Sequence, residues 1–300
     1  MVLYAWDAVA FCSRNYDSSI DIYDDTFNGD FMDNELIRLP EEHGSRFYKT
    51  HTGLRLPSVT TILSQTVAKP ALIPWAAKME RAAVLLAVTR SYDEMAHVMK
   101  EVPPLDVFQE MIDGHLDKEK AFKKELKKAG NIGTEVHSRI EWEFRGELGD
   151  KKRKEEPPPL STPEAKRSFE RAIEWRKQTR LKVLGVERKV ASLQERYAGT
   201  LDALVQIDDD EGNTKVGVVD FKSSKAVYDE HLLQNCAYRL ALAEQGIKTD
   251  AGWIILLPKI SDDDAFKVVE VPPMSTLITP WLAAVSLYRW IAEQRKAKEG

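Results

Sequence analysis

Cysteine is scarce in this 300-residue chain, with Cys12 and Cys236 the only two. Far apart in sequence, they cannot furnish a four-cysteine zinc site or a cysteine-ligated iron–sulfur cluster. Any metal must therefore sit on oxygen and nitrogen ligands. Long apolar runs are missing as well: the best stretch, Ala82 to Val88, is stopped by Thr89 and Arg90, far short of the roughly 18 residues a membrane span requires. The N-terminal segment places Asp7 inside its only apolar run and lacks a leading basic region, which argues against a presequence and leads to a cytoplasmic expectation. No repeat of solenoid length is visible. What is present is an ordinary composition, 43% hydrophobic and 30% charged, enough to bury a large core and unlike a disordered chain, a fibre or a disulfide-stapled miniprotein.

Charge is unevenly spread. The net value of -5 conceals a first segment, residues 1–50, with 4 basic and 10 acidic side chains. Residues 118–190 carry 21 basic against 13 acidic side chains, a net of +8. A polyanion could be held by that basic middle, and Lys123, Lys124 and Lys127 form its clearest stripe on an expected helix; the alternative is a solvated face.

The pattern of residues divides the chain near position 130. Before it, residues 1–45 are peripheral, a hairpin turns at Thr52-Gly53, Ser58 caps a short helix through Leu63, and helices follow over Lys78–Lys100 and Asp117–Lys128. Gly130 is expected to interrupt the helical pattern, which resumes from Thr134 to Phe144. The segment "GDKKRKEEPPPLSTP", with its charges and consecutive prolines, is expected as an exposed linker or flexible loop over 146–162. Pro163 then opens a helix running to about Thr179. Strands are expected at Leu181–Leu193, Gly199–Ile207 and Lys215–Lys222, a helix at His231–Gln245, strands at Gly252–Leu257 and Phe266–Val271, and a final helix at Leu277–Lys298. This order implies an α/β or α+β core with a mixed sheet flanked by helices.

Chemistry concentrates around "VVDFK". Alternation along a strand puts Asp220 and Lys222 on one face and Phe221 on the other. If the preceding hairpin folds about Glu211, Asp202 of "GTLDALV" opposes Asp220. Two facing carboxylates repel unless something positive lies between them. A divalent ion such as Mg²⁺ or Mn²⁺ is the simplest remedy, with Lys222 beside it to act on water or on a phosphoryl group. The competing reading makes Lys222 their salt-bridge partner on a solvated face. His137 follows Gly133 by one helical turn, the small residue allowing close approach, and Gln234 and Tyr238 share one helix face.

Taken in order, "GTEVH", "GTLD", "VVDFKSS" and "QNCAY" resemble the PD-(D/E)XK nuclease superfamily, specifically its RecB-like exonuclease branch, over about residues 131–240. "LPSVTTILS" and "PWAAK" are also similar to the N-terminal region of relatives of the mitochondrial genome maintenance exonuclease and of phage exonucleases. The resemblance implies a restriction-endonuclease-like core over 131–300 with a helical addition over 1–130. It implies a Mg²⁺- or Mn²⁺-dependent deoxyribonuclease, most plainly an exonuclease on single-stranded DNA ends in recombination, repair or replication. Asp202, Asp220, the Phe221 backbone carbonyl and His137 would be the metal ligands and Lys222 the catalytic lysine. Gln234, Tyr238 and Ser223 would position DNA, with Glu187 in support. No iron–sulfur cluster is expected, and the partners would be DNA with free ends and a recombination or replication protein. A structure- or site-specific endonuclease and a catalytically silent DNA-binding protein remain as alternatives.

Overall fold

The computed structural model describes residues 36–98, 103–117, 119–208, 211–259 and 265–299. Cys12 and the expected peripheral residues 1–35 lie outside them. Among the described residues, those up to Val67 and from Glu135 onward form one compact unit, and Ala68–Thr134 forms another. Residues 36–67 thus group with the residues from Glu135 onward.

The first unit begins with a three-stranded antiparallel sheet, β1 (Leu36–Arg38), β2 (Phe47–Thr50) and β3 (Arg55–Pro57). Lys49 pairs with Arg55 across the expected turn, where Gly53 takes the left-handed conformation at φ 86°. Ser58 caps α1 (Val59–Thr66), its Oγ accepting from the Thr61 N–H at 3.0 Å. The second unit holds α2 (Leu72–Val98), α3 (Leu105–His115) and the first turns of α4 (Ala121–Leu148). In it the Phe122 N–H donates to Glu80 Oε1 at 3.2 Å, and His115 Nε2 lies 3.2 Å from Glu94 Oε1.

Helix α4 corrects the sequence reading, because it runs unbroken through Gly130 where an interruption was expected. A glycine inside a helix costs about 1 kcal/mol relative to alanine, but it keeps both backbone hydrogen-bonding groups. Here the Gly130 carbonyl additionally accepts from Thr134 Oγ1 at 3.0 Å.

After α4, the proline-rich segment is exposed yet tied down. Trp142 Nε1 donates to the Lys154 carbonyl at 2.8 Å, and the Arg153 guanidinium covers the Trp142 ring at 3.5 Å. Arg139 Nη1 reaches the Pro158 carbonyl at 3.1 Å, and the Ser161 N–H donates to Glu135 Oε2 at 2.8 Å. The segment is an exposed loop, and residues of α4 supply its partners. Thr162 then caps α5 (Pro163–Gln178), accepting from the Ala165 N–H at 3.1 Å.

The main sheet follows: β4 (Leu181–Ser192), β5 (Tyr197–Asp208), β6 (Thr214–Lys222), β7 (Ala251–Leu256) and β8 (Lys267–Glu270), in that spatial order. All neighbours are antiparallel except β6 and β7, and α6 (Asp229–Glu244) makes the crossover their parallel pairing requires. Helix α7 (Met274–Glu299) closes the chain. One face of the sheet is covered by α1, α6 and α7, where Ile62, Leu201, Val218, Leu242 and Trp281 form a fully buried core. Phe221, one position out of phase with Val218, faces the other way and meets Phe144 of α4 and Trp175 of α5 edge to face, at 6.0 and 5.5 Å. The fold is therefore a mixed α+β architecture, as the element order implied. Among the described residues no helix is long and apolar enough to cross a membrane.

Candidate active site

Strand β6 ends in the sequence Asp220-Phe221-Lys222, and alternation sends its two polar side chains to one face. Their charged groups meet, with Lys222 Nζ 2.6 Å from Asp220 Oδ2. Asp220 is only 1% exposed, and neither of its carboxylate oxygens has a hydrogen-bond donor in acceptable geometry among the described residues.

The β5–β6 register matches the hairpin expected from the sequence. Backbone pairs run from Asp208 opposite Thr214 to Ala203 opposite Val219. Asp202 sits one residue beyond the last pair, and its side chain replaces the next rung: Oδ2 accepts from the Phe221 N–H at 2.8 Å. His137 of α4 approaches the same oxygen, with Nδ1 3.4 Å from Asp202 Oδ2.

A third carboxylate comes from β4. Its pairing with β5 shifts between Val183 and Gly185, a bulge that carries the strand past Leu184 without a partner. Beyond it, Val186 pairs with Ala203 and Arg188 with Leu201, so Glu187 falls level with Asp202. Glu187 has φ 47°, a left-handed backbone that non-glycine residues rarely adopt and that clusters at functional sites. His137, Glu187 and Asp202 each offer one ligand atom within 4.8 Å of the others'.

Electrostatics bind these groups into one network. Burial pulls His137 toward neutrality, but Asp202 overrides it and lifts the imidazole from 6.5 to about 9. Burial also favours a neutral Asp202, yet His137, Lys222 and the Phe221 N–H hold it below the usual carboxylate range. For Asp220, burial raises the value to about 6 despite Lys222, with Asp202 adding repulsion. Glu187 is pushed to about 7 by burial and then by Asp202 and Glu141. Lys222 is disfavoured as a cation by burial, but Asp220 and Asp202 outweigh this and keep it protonated above its ordinary value. The carboxylates of this cluster are donors of the kind Mg²⁺ and Mn²⁺ take, while the His137 imidazole beside them adds a nitrogen donor that favours softer divalent ions.

The remaining residues expected at the site are distributed as follows. Gln234 and Tyr238 lie on α6, where Gln234 Nε2 donates to the Tyr238 hydroxyl at 2.8 Å. The Tyr238 ring crosses so close to β5 that a Cβ added at Gly199 would meet its Cε1 at 2.5 Å, which explains the glycine of "GTLD". Ser223 follows β6 and is half-buried. Gly133 is half-buried on α4, while Lys123, Lys124 and Lys127 are exposed on its first turns, within the second unit. Lys124 pairs there with Asp117.

Several participants escaped the sequence reading. Glu141 is one helical turn beyond His137, a spacing visible in "VHSRIE", and Arg145 Nε donates to its Oε1 at 2.8 Å. Asn235, fully buried, uses Nδ2 to hold the Val218 carbonyl at 3.1 Å, just before Asp220. Tyr48 of β2 shares a hydrogen bond with Thr200 Oγ1 at 2.9 Å, two residues before Asp202. No sequence signal marked Asn235 or Tyr48. Compared with protein-family models and with curated proteins, the chain matches none.

Proposed function

We propose that this chain is a divalent-metal-dependent nuclease of the PD-(D/E)XK kind, acting on DNA from free ends and preferring single strands. The observation that carries the reading is the convergence of Asp202, Asp220 and Lys222 at the meeting of β5 and β6, with His137 against Asp202 and Asp220 buried against the Lys222 ammonium. His137, Asp202, Asp220 and the Phe221 carbonyl would hold Mg²⁺ or Mn²⁺. Such an ion lowers the pKa of a bound water and offsets charge on a phosphodiester.

The chain's own groups supply the rest. Lys222 is kept protonated by its carboxylate neighbours, so it serves as a cation that orients the attacking water and stabilises the charge developing on the phosphate. Asp202, through its bond to the Phe221 N–H, holds β6 in the position that presents Asp220 and Lys222. Gln234, half-buried on α6, would support the DNA strand, its amide held by the hydroxyl of the buried Tyr238, and the four motifs quoted above favour this assignment. The basic stripe at Lys123, Lys124 and Lys127 would add phosphate contacts and salt-dependent affinity.

Time-resolved products from end-labelled single-stranded, double-stranded and circular DNA with Mg²⁺ or Mn²⁺ test the proposal. Short products accumulating from linear single strands, with circles intact, are expected. Cleaved circles would replace the exonuclease by an endonuclease on the same core, and inertness toward every substrate would overturn the reading.

A further inference from the structure

We propose that Tyr228 is the platform on which an unpaired nucleobase stacks beside the cleavage centre, and that its ring sets the preference for single strands. The inference rests on the nuclease reading above and deepens it by naming the part of the substrate that is recognised. Tyr228 is the N-cap of α6, a short loop beyond Lys222, and Glu230 in the first turn of that helix acts electrostatically on the Lys222 ammonium. The start of α6 therefore borders the polar face of β6. The aromatic side chains of β5, β6 and α6, which are Tyr197, Phe221 and Tyr238, are buried, whereas Tyr228 is 46% exposed.

That exposed ring is fixed in place. The Tyr228 N–H donates to His231 Nδ1 at 3.3 Å, and the Tyr228 carbonyl accepts from the His231 N–H at 2.9 Å. The ring meets the buried imidazole edge to face at 5.4 Å. Just before it, Ser224 Oγ closes the loop by donating to the Ala226 carbonyl at 2.8 Å. A side chain held at both main-chain groups and along one edge loses little freedom when a base covers its open face. Asp229 and Glu230 beside it repel phosphates, so this corner offers a strand a contact to a base rather than to the backbone. Such stacking tolerates any sequence, because every base has a flat face. It does not tolerate pairing: in a duplex the bases are already stacked on one another, and freeing one costs energy that a single strand does not demand.

Fluorescence anisotropy of end-labelled strands bound to the full chain decides the matter, with Lys222→Ala as the parent so that Mg²⁺ can be present without turnover. Adding Tyr228→Ala should weaken single-strand binding by about tenfold or more, leave duplex binding nearly unchanged and so lower the preference, while Tyr228→Phe should restore binding to within a fewfold. When single nucleotides are made abasic in turn, the strand lacking the base that covers the ring should bind the parent and the Tyr228→Ala chain alike. Single-strand binding by Tyr228→Ala equal to the parent's overturns the proposal. So does a loss of the same size on every abasic strand, which is what a merely structural role would give. Should Tyr228→Ala fail to fold, Tyr228→Leu keeps an apolar edge against His231 without an aromatic face and should show the same loss. Strands bound through Tyr228 but never cleaved by the wild-type chain would remove the nuclease reading and leave this inference standing; cleavage and binding with no dependence on Tyr228 would do the reverse.

Discussion

At the residue scale, the proposed metal ligation by His137 has a protonation cost that can be measured. In the metal-free protein the imidazole is charged up to about pH 9 because Asp202 lies 3.4 Å away. An ion can be ligated only by the neutral ring, so binding must expel that proton. Calorimetric titration with Mg²⁺ at pH 7.5 in two buffers of different ionisation enthalpy should report release of about one proton, and affinity should rise with pH toward 9. Buffer-independent heats would remove His137 from the ligand set. Gly199 is a second single-residue test. An added methyl would strike the Tyr238 ring, so Gly199→Ala should cost about 1–3 kcal/mol by overpacking and should also shift the Gln234–Tyr238 pair. Chemical denaturation compared with the parent checks the first effect. Asp202, Asp220 and Lys222 could be placed on one face because a short turn and period-two alternation determine which residues share it, whereas His137 was reached through its helical spacing after Gly133 and the resemblance. Glu187 was legible only as an acidic position. Its entry into the site depends on the bulge around Leu184 and on a left-handed residue, and composition signals neither.

At the scale of elements, caps and turns carried most of the readable information. Ser58, Thr162 with Pro163, and Gly53 act where short-range chemistry demands them, so the strands and helices of the core match expectation to within a few residues. Longer-range partners were not legible. Gly130 does not break α4, and the segment after Gly149 is fastened by Arg139, Trp142 and Glu135 from within that helix. Trp142→Ala removes both the stacking surface of Arg153 and the donor to Lys154. It should expose Lys151, Lys152, Arg153 and Lys154 to trypsin at least several-fold faster while the core melts within a few degrees of the parent. Equal cleavage rates would show that the remaining ties suffice. Thr162→Ala, by contrast, deletes an N-cap and should cost about 1 kcal/mol with no effect on that cleavage.

For the whole molecule, the site carries an unfavourable charge distribution that pH and metal should reveal together. In the folded chain Glu187 titrates near 7 rather than 4.5, Asp220 near 6 rather than 3.8, and His137 near 9 rather than 6.5. Each binds more protons folded than unfolded, so the stability each adds is complete at low pH and lost as pH rises through the folded value. Asp202, with its lowered value, acts in the opposite sense but only in acid, below the ordinary carboxylate range. Metal-free Tm should therefore fall between about pH 4.5 and 9, and saturating Mg²⁺ should remove most of that slope. Glu187→Gln should flatten the part between 4.5 and 7. A metal-free Tm that climbs across the whole interval would contradict the assigned shifts.

The central claim, that Asp202, Asp220 and Lys222 form a metal-dependent phosphodiester-cleaving centre, is tested most directly by single-turnover cleavage of end-labelled single-stranded DNA. The wild-type chain, Asp220→Asn and Lys222→Ala would be compared with Mg²⁺, with Mn²⁺ and with chelator. Wild-type cleavage should require the ion, and each variant should be slower by at least about 100-fold, the lower range for a positioned catalytic group, with Lys222→Ala still binding DNA within a fewfold of wild type. Cleavage that survives chelator, or a Lys222→Ala rate equal to that of the wild type, would contradict it.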